Sequence, residues 1–231
     1  MFVAVLLGAV IQGAIGFGLA LVVVPVLTLV RPEVLPAMVL LLMVPMAMIM
    51  AARERGEIDV TGLAYLLSGR LAGTLGGMAL LLLVLDDYLS VLFGSLILVA
   101  VLASSFSPKV ALHNRTRVVG GVASGVMGTA AGIGGPPLAL IYQSHSGPQI
   151  RATLAVAFSV GTVLSLAALF LAGRVGADHL LLALKLLPAL LLGLGAARFV
   201  AELLAGRWLR RAILLFAAVS GLAAVLLGVA G

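Results

Sequence analysis

Two cations in this chain, Arg70 and Lys185, fall about ten and about eight residues inside long apolar stretches, and no Asp or Glu lies equally deep in any of them. A Lys or Arg at the centre of a bilayer is unfavourable by about 2.5–3.5 kcal/mol on insertion scales, and by more on others. Two such groups without an internal carboxylate call for a counter-charge from outside the chain. A bound anion supplies one, and a planar guanidinium suits an oxyanion such as a sulfonate or carboxylate. The competing explanation is structural: Lys185 snorkels to an interface, and Arg70 bonds the carbonyls of a broken helix.

A second feature points to the same chemistry. A glycine pattern occurs twice, half a chain apart, each time in apolar sequence. The first copy is Gln12-Gly13-Ala14-Ile15-Gly16-Phe17-Gly18, which runs on to Pro25. The second is Gly128-Thr129-Ala130-Ala131-Gly132-Ile133-Gly134-Gly135-Pro136-Pro137. Gly16 and Gly18 align with Gly132 and Gly134, and Arg31-Pro32 falls opposite Gly147-Pro148. Glycine and proline break helices. A broken backbone at membrane depth survives only when it is buried in protein or lines a cavity. Duplicated breaks of this kind point to a transporter's binding site. The amides after each break carry unpaired N–H groups and the positive end of a helix dipole, which together bind anions. Close helix packing is the alternative use of such glycines.

Other polar groups are weaker candidates. Gln12, Ser124 and Thr129 flank the motifs and could hydrogen-bond a guest. Thr74, Ser159, Thr162 and Ser165 could as easily bond their own helix backbone. Gln143 and His145 stand at the exit of the second motif, and His113 and His179 read as linker residues. The three histidines are scattered, without metal-ligand spacing, and there is no cysteine. No P-loop is present, nothing brings a Ser, a His and a carboxylate together, and no cofactor is called for.

The elements that must position these residues follow from composition. The chain is 63% hydrophobic and 10% charged, against about 25% charged in soluble domains. It reads as an all-α polytopic membrane protein. Apolar segments fall at 2–30, 34–51, 60–84, 88–106, 117–143, 149–171, 177–203 and 208–229. No basic leader or cleavage site opens the chain, so no removable signal peptide is expected. Residues 107–116 form a polar linker between two related halves of four segments each, 1–106 and 117–231. Gly56 and Gly76 align with Gly173 and Gly193 across them. If all eight segments cross, the Lys and Arg of the loops divide six against six. If 2–30 and 117–143 are re-entrant hairpins, the division becomes ten against two, with only Arg31 and Arg174 on the minority side. The second result is the asymmetry that membrane orientation requires. Each half then crosses three times, so the second half is inverted, and each hairpin is two half-helices of about 12–14 residues. The net charge of +6 belongs to lipid-facing loops and does not suggest nucleic acid.

On Gly13, Gly16, Gly18 and Pro25, and on Gly128, Gly132, Gly134, Gly135, Pro136 and Pro137, the chain resembles the TauE/SafE family, also called the sulfite-exporter or 4-toluenesulfonate-uptake permease family. The resemblance covers nearly the whole chain. The second copy is closer to the family pattern; the first has Phe17 and Leu19 where a denser glycine run is usual. The resemblance implies a bacterial inner-membrane permease for small sulfur-containing or organic anions. The expected substrate-binding set is Gln12, Gly13, Gly16, Phe17, Gly18, Arg70, Gly128, Thr129, Gly132, Gly134, Gly135, Pro136 and Lys185. The expected partners are a small anion and the bilayer, with a homodimer left open. Rival readings are an anion channel with a positive pore and a membrane enzyme; the latter lacks a convergent acid, base or metal set. Substrate identity, direction and coupling ion are not written in the sequence.

Overall fold

The computed structural model describes residues 1–54, 58–105, 111–204 and 207–230, with the backbone alone at 200–204, 207–210 and 230. The Arg55-Gly56-Glu57 part of the first linker and the first residues, 107–110, of the inter-repeat linker lie outside the described residues, as does the alignment of Gly56 with Gly173.

In hydrocarbon, each backbone N–H and C=O has to be satisfied by its own segment, so apolar sequence of this density folds as helix. The described residues form ten α-helices and no strand. In chain order they are α1 (Phe2–Ile15), α2 (Leu19–Val30), α3 (Ala37–Arg53), α4 (Val60–Leu83), α5 (Leu89–Ser105), α6 (Asn114–Ala131), α7 (Gly135–Tyr142), α8 (Gly147–Leu171), α9 (Ala177–Leu204) and α10 (Arg207–Ala230). Five stretches, Val60–Leu83, Asp86–Ser105, Gly147–Leu171, Ala177–Phe199 and Arg211–Val229, are long and apolar enough to cross a membrane. α3, at 17 residues, stands at the lower limit of a span. Side-chain caps fix two starts: Asp59 Oδ1 accepts from Gly62 N at 2.9 Å, and Ser146 Oγ accepts from Gln149 N at 3.3 Å.

Both glycine segments fold back on themselves. α1 stops at Gly16, whose φ is 95°, and Gly18 has φ 140°; both values lie in the region that side chains avoid. α2 then returns along α1, so a Cβ at Gly8 would touch the Leu19 backbone at 3.1 Å and one at Gly18 would strike Ile11. α6 stops at Gly132, with φ 78°. α7 returns along it, with Gly134 beside Ser124 and Ile141 beside Gly120. Neither segment is therefore a kinked crossing helix. The half-helix lengths are 14 and 12 residues in the first hairpin, but 18 and 8 in the second. The expected 12–14 fails there: Asn114, Arg115 and Thr116 join the first turn of α6, with Thr116 bonding the His113 backbone, and α7 ends early, at Tyr142.

Each hairpin packs on a long helix from the other half: α1 on α9, and α6 on α4. α3 packs on α8, and α5 on α10. The α4–α6 contact is made backbone to backbone. Gly69, Gly73 and Gly77 face the carbonyls of Val118, Val122 and Val126, while Gly121 and Gly125 face Leu66 and the Arg70–Gly73 turn. A Cβ at any of these five would collide with main chain, the small-residue approach common between membrane helices.

Three ion pairs tie helix ends together: Glu54–Arg151 at 2.9 Å, Asp59–Arg117 at 2.7 Å and Asp86–Arg174 at 3.0 Å. The first two join the ends of α3, α4, α6 and α8 on one face of the bundle, and the third joins the far end of α4 to the far end of α8. Large apolar side chains such as Leu83, Leu171, Leu192 and Leu215 stand exposed on the outer surface, as a lipid-facing helix requires.

Candidate functional site

Arg70 is the largest fully buried side chain among the described residues, with 1% of its surface exposed. It sits on α4 at the point where the glycine stripe brings α6 closest. Its Nη1 donates to Ser124 Oγ at 2.8 Å, and Ser124 Oγ in turn donates to the Gly134 carbonyl at 2.7 Å. The guanidinium is thereby wired to the tip of the second hairpin. Gly161 on α8 makes room for it, since a Cβ there would overlap Arg70 Nε. The Phe158 ring, one turn earlier on α8, lies 5.5 Å from Arg70 Cζ and stacks against the cation. Among the described residues no Asp or Glu pairs with Arg70.

The polar ground around this cation is incompletely bonded. Arg70 Nε, Thr74 Oγ1 and Thr162 Oγ1 are buried with no hydrogen-bond partner among the described residues. Thr74 follows Arg70 by one turn on α4, and Thr162 follows Gly161 on α8. Thr129 and Ser165 continue the same seam and bond each other at 2.7 Å. A buried charge and two buried hydroxyls left unbonded each carry a desolvation cost.

The hairpin tips meet beside this seam. Gly135 comes against Phe17, a Cβ there lying 3.1 Å from the ring-bearing carbon. A void of about 10 Å³ separates the tips, lined by Gln12, Phe17, Gly18, Gly132, Gly135, Pro136 and others. That volume holds about one water molecule and is too small for a sulfur oxyanion. The tips are therefore closed on each other.

Most of the residues singled out by sequence thus gather in one place. Gln12, Phe17, Gly18, Gly132, Gly135 and Pro136 line the inter-tip void. Gly128 and Gly134 stand beside Arg70 Nη2, each 3.4 Å from where a Cβ would sit. Thr129 is buried and taken by Ser165. Gln12 is buried and serves its own hairpin: Oε1 accepts from Leu19 N at 3.0 Å, and Nε2 lies 3.4 Å from Met43 Sδ. Gly13 packs on Ala197 of α9, and Gly16 packs on Arg151. Lys185 stands apart, exposed on the outer side of α9, which is the snorkelling arrangement. His179 accepts from Gly176 N at 3.0 Å as a loop residue, and His145 lies against Tyr142 with ring centroids 5.3 Å apart.

Sequence reasoning did not single out Phe158, Gly161 or the glycine stripe. The stripe carried a signal in the four-residue spacing of Gly69, Gly73 and Gly77. Gly161 carried none, because nothing along α8 says that an arginine from another helix will lie on it.

No group of three or more His, Cys, Asp or Glu that could hold a metal occurs among the described residues. No curated protein and no solved structure gave a match. The family profile described as Sulfite exporter TauE/SafE matches residues 1–224. Paired glycine breaks, helices that can span a bilayer and a profile running almost end to end agree: the chain belongs to the TauE/SafE family of membrane sulfite exporters.

Proposed function

We propose that this protein is a secondary transporter of small oxyanions of the sulfite or organosulfonate class, working by alternating access between two oppositely inserted hairpins. One observation carries the reading: Arg70 is a fully buried cation beside the tip of the second hairpin, with no carboxylate to neutralise it among the described residues. The anion is bound by Arg70 Nε and the Thr74 and Thr162 hydroxyls, with the Ser124–Gly134 link holding the guanidinium in aim. Inverted topology is supported by the ion pairs. Under eight full crossings, Glu54 and Arg151 fall on opposite faces, as do Asp86 and Arg174, yet both pairs lie within 3.0 Å. It is supported again by the exchange of partners, α1 on α9 and α6 on α4.

Alternating access follows from the closed tips. Phe17 and Gly135 must part before an anion reaches Arg70, and they must part toward one face at a time. A channel would need a continuous wet path, and the roughly 10 Å³ void between the tips does not provide one. The test is radiolabelled sulfite uptake and counterflow in proteoliposomes. Saturable counterflow that vanishes in Arg70→Gln, with the variant still eluting as folded protein, is the expected result. Unchanged flux in that variant removes Arg70 from the site. Ohmic current without counterflow makes the protein a channel.

A further inference from the structure

A cavity lined by arginines lies on the other side of the first hairpin. It measures about 390 Å³ and is lined by Gly13 and Ala14 of α1, Arg53 and Glu54 at the end of α3, Arg151 of α8, and Leu194 and Arg198 of α9, among others. Three guanidinium groups and one carboxylate share it. Glu54 is taken by Arg151 at 2.9 Å. Arg53 reaches only the Leu194 carbonyl, at 3.5 Å, and Arg198 lies over the Phe199 ring at 4.6 Å from its centroid. Among the described residues neither Arg53 nor Arg198 has a carboxylate partner, so three arginines and one glutamate make up the charged part of the described lining. Its volume suits a hydrated tetrahedral or pyramidal oxyanion, unlike the 10 Å³ void between the tips.

The position gives the cavity a role. Gly13 and Ala14 form its wall, and Gln12, Phe17 and Gly18, on the same few residues of chain, line the inter-tip void. Gly16, at the bend, packs directly on Arg151. The end of the first hairpin is thus a partition with a wide cationic chamber on one side and the closed approach to Arg70 on the other. Arg53, Arg151 and Arg198 all lie on the face that carries the Lys and Arg excess, which orients toward the cytoplasm. A low-dielectric cleft lined by one sign of charge concentrates counter-ions and raises their on-rate.

We infer that this chamber is a cytoplasmic oxyanion-binding site, separate from Arg70, that captures substrate before the first hairpin moves. The inference rests on the transport reading above and extends it. A phospholipid headgroup has the same anionic oxygens, so the test distinguishes the two sources. The full chain is reconstituted in zwitterionic vesicles, and sulfite KM is measured separately for protein oriented with the chamber outward and inward. Arg53→Gln/Arg198→Gln is expected to raise KM about tenfold at the chamber face and to flatten its salt dependence, with Vmax and the opposite-face KM within twofold. An unchanged chamber-face KM, or an equal rise at both faces, overturns the proposal. Adding phosphatidylglycerol should leave the wild-type KM near its zwitterionic value; a rise to the variant's value assigns the chamber to lipid and overturns it too. Sulfate binding to Arg70→Gln, followed by thermal shift, separates this proposal from the central one. Weak stabilisation that disappears on adding the two chamber substitutions supports the chamber even if Arg70 proves irrelevant to flux. Its absence removes the chamber while leaving the Arg70 result standing.

Discussion

The two hairpin tips each end a helix on a glycine of positive φ, Gly16 and Gly132, and differ in chemistry. In the register that pairs Gly16 with Gly132, Gln12 corresponds to Gly128 and Gly8 to Ser124. In the first tip, the Gln12 side chain folds into the bend and satisfies Leu19 N at 3.0 Å. In the second, Gly128 has no side chain, and the space beside the bend is filled by the Arg70 guanidinium arriving from α4. Ser124, where the first half has glycine, supplies the hydroxyl that links that cation to the Gly134 carbonyl. The bend of the first tip is thus bonded by its own glutamine, whereas that of the second is filled by a cation from a neighbouring helix. On the transport reading proposed above, differences at these few positions make the second tip the binding tip and leave the first to cover it.

The largest effect should come from the contact that carries the charged tip. Gly73→Leu drives a side chain into the Val122 backbone, and no monodisperse peak should remain in size-exclusion chromatography. Gly195→Leu, where a new Cβ meets nothing within 4 Å, should elute as wild type. If both elute alike, the seam does not distinguish the halves. Next in size is Gly128→Gln, which gives the second tip the first tip's amide. It crowds Arg70 Nη2 and should lower sulfite flux by at least about a hundredfold, or about 2.7 kcal/mol. Retained flux would show that the tips are interchangeable.

Gln12→Leu and Arg70→Met sharpen the contrast further. Removing the Gln12 link leaves Leu19 N unbonded, and should lower stability by about 1–3 kcal/mol in a denaturant titration while flux falls less than tenfold. Arg70→Met removes a buried lone cation, so stability should hold or rise even as flux is lost. A reversed pattern would exchange the roles of the tips. The smallest effect is expected at Glu33, exposed on the opposite face from the cationic chamber. Its carboxyl is held below its ordinary value chiefly by the hydrogen bond from Arg31. Whatever that adds is present at neutral pH and lost as pH falls through the depressed value, and Glu33→Gln should change stability by less than about 0.5 kcal/mol.

Sequence disclosed the breaks because glycine and proline act locally: Gly16, Gly18 and Gly132 need only their own φ to end a helix. It disclosed the burial of Arg70 from depth in an apolar run, but the same reasoning misjudged Lys185. Depth along a helix says how far a residue is from the ends, and not which way it faces. α4 turns Arg70 inward because its glycines lie on that face, whereas Lys185 lies on an exposed face of α9. The partners of Arg70 were not legible either. Ser124 is 54 positions away in sequence and Gly161 further still, and only the packing of three helices brings them together. The unequal hairpins were hidden for a related reason, since the polar residues that lengthen α6 read as linker until a cap draws them into the helix.

The five-glycine contact between α4 and α6 has a mechanical consequence. Main chain pressed on main chain leaves no side chains to re-pack, so those two helices can neither slide nor tilt independently, and Arg70 travels with its hairpin as a single plate. The contact of α1 with α9 is mixed: Gly193 presses on the Leu6 carbonyl as the seam glycines press on theirs, whereas Gly13 meets the Ala197 methyl and the Leu194 side chain, which can change rotamer. On the transport reading proposed above, rocking that admits a guest is expected to begin at the first hairpin, where one such backbone contact stands against five in the α4–α6 seam.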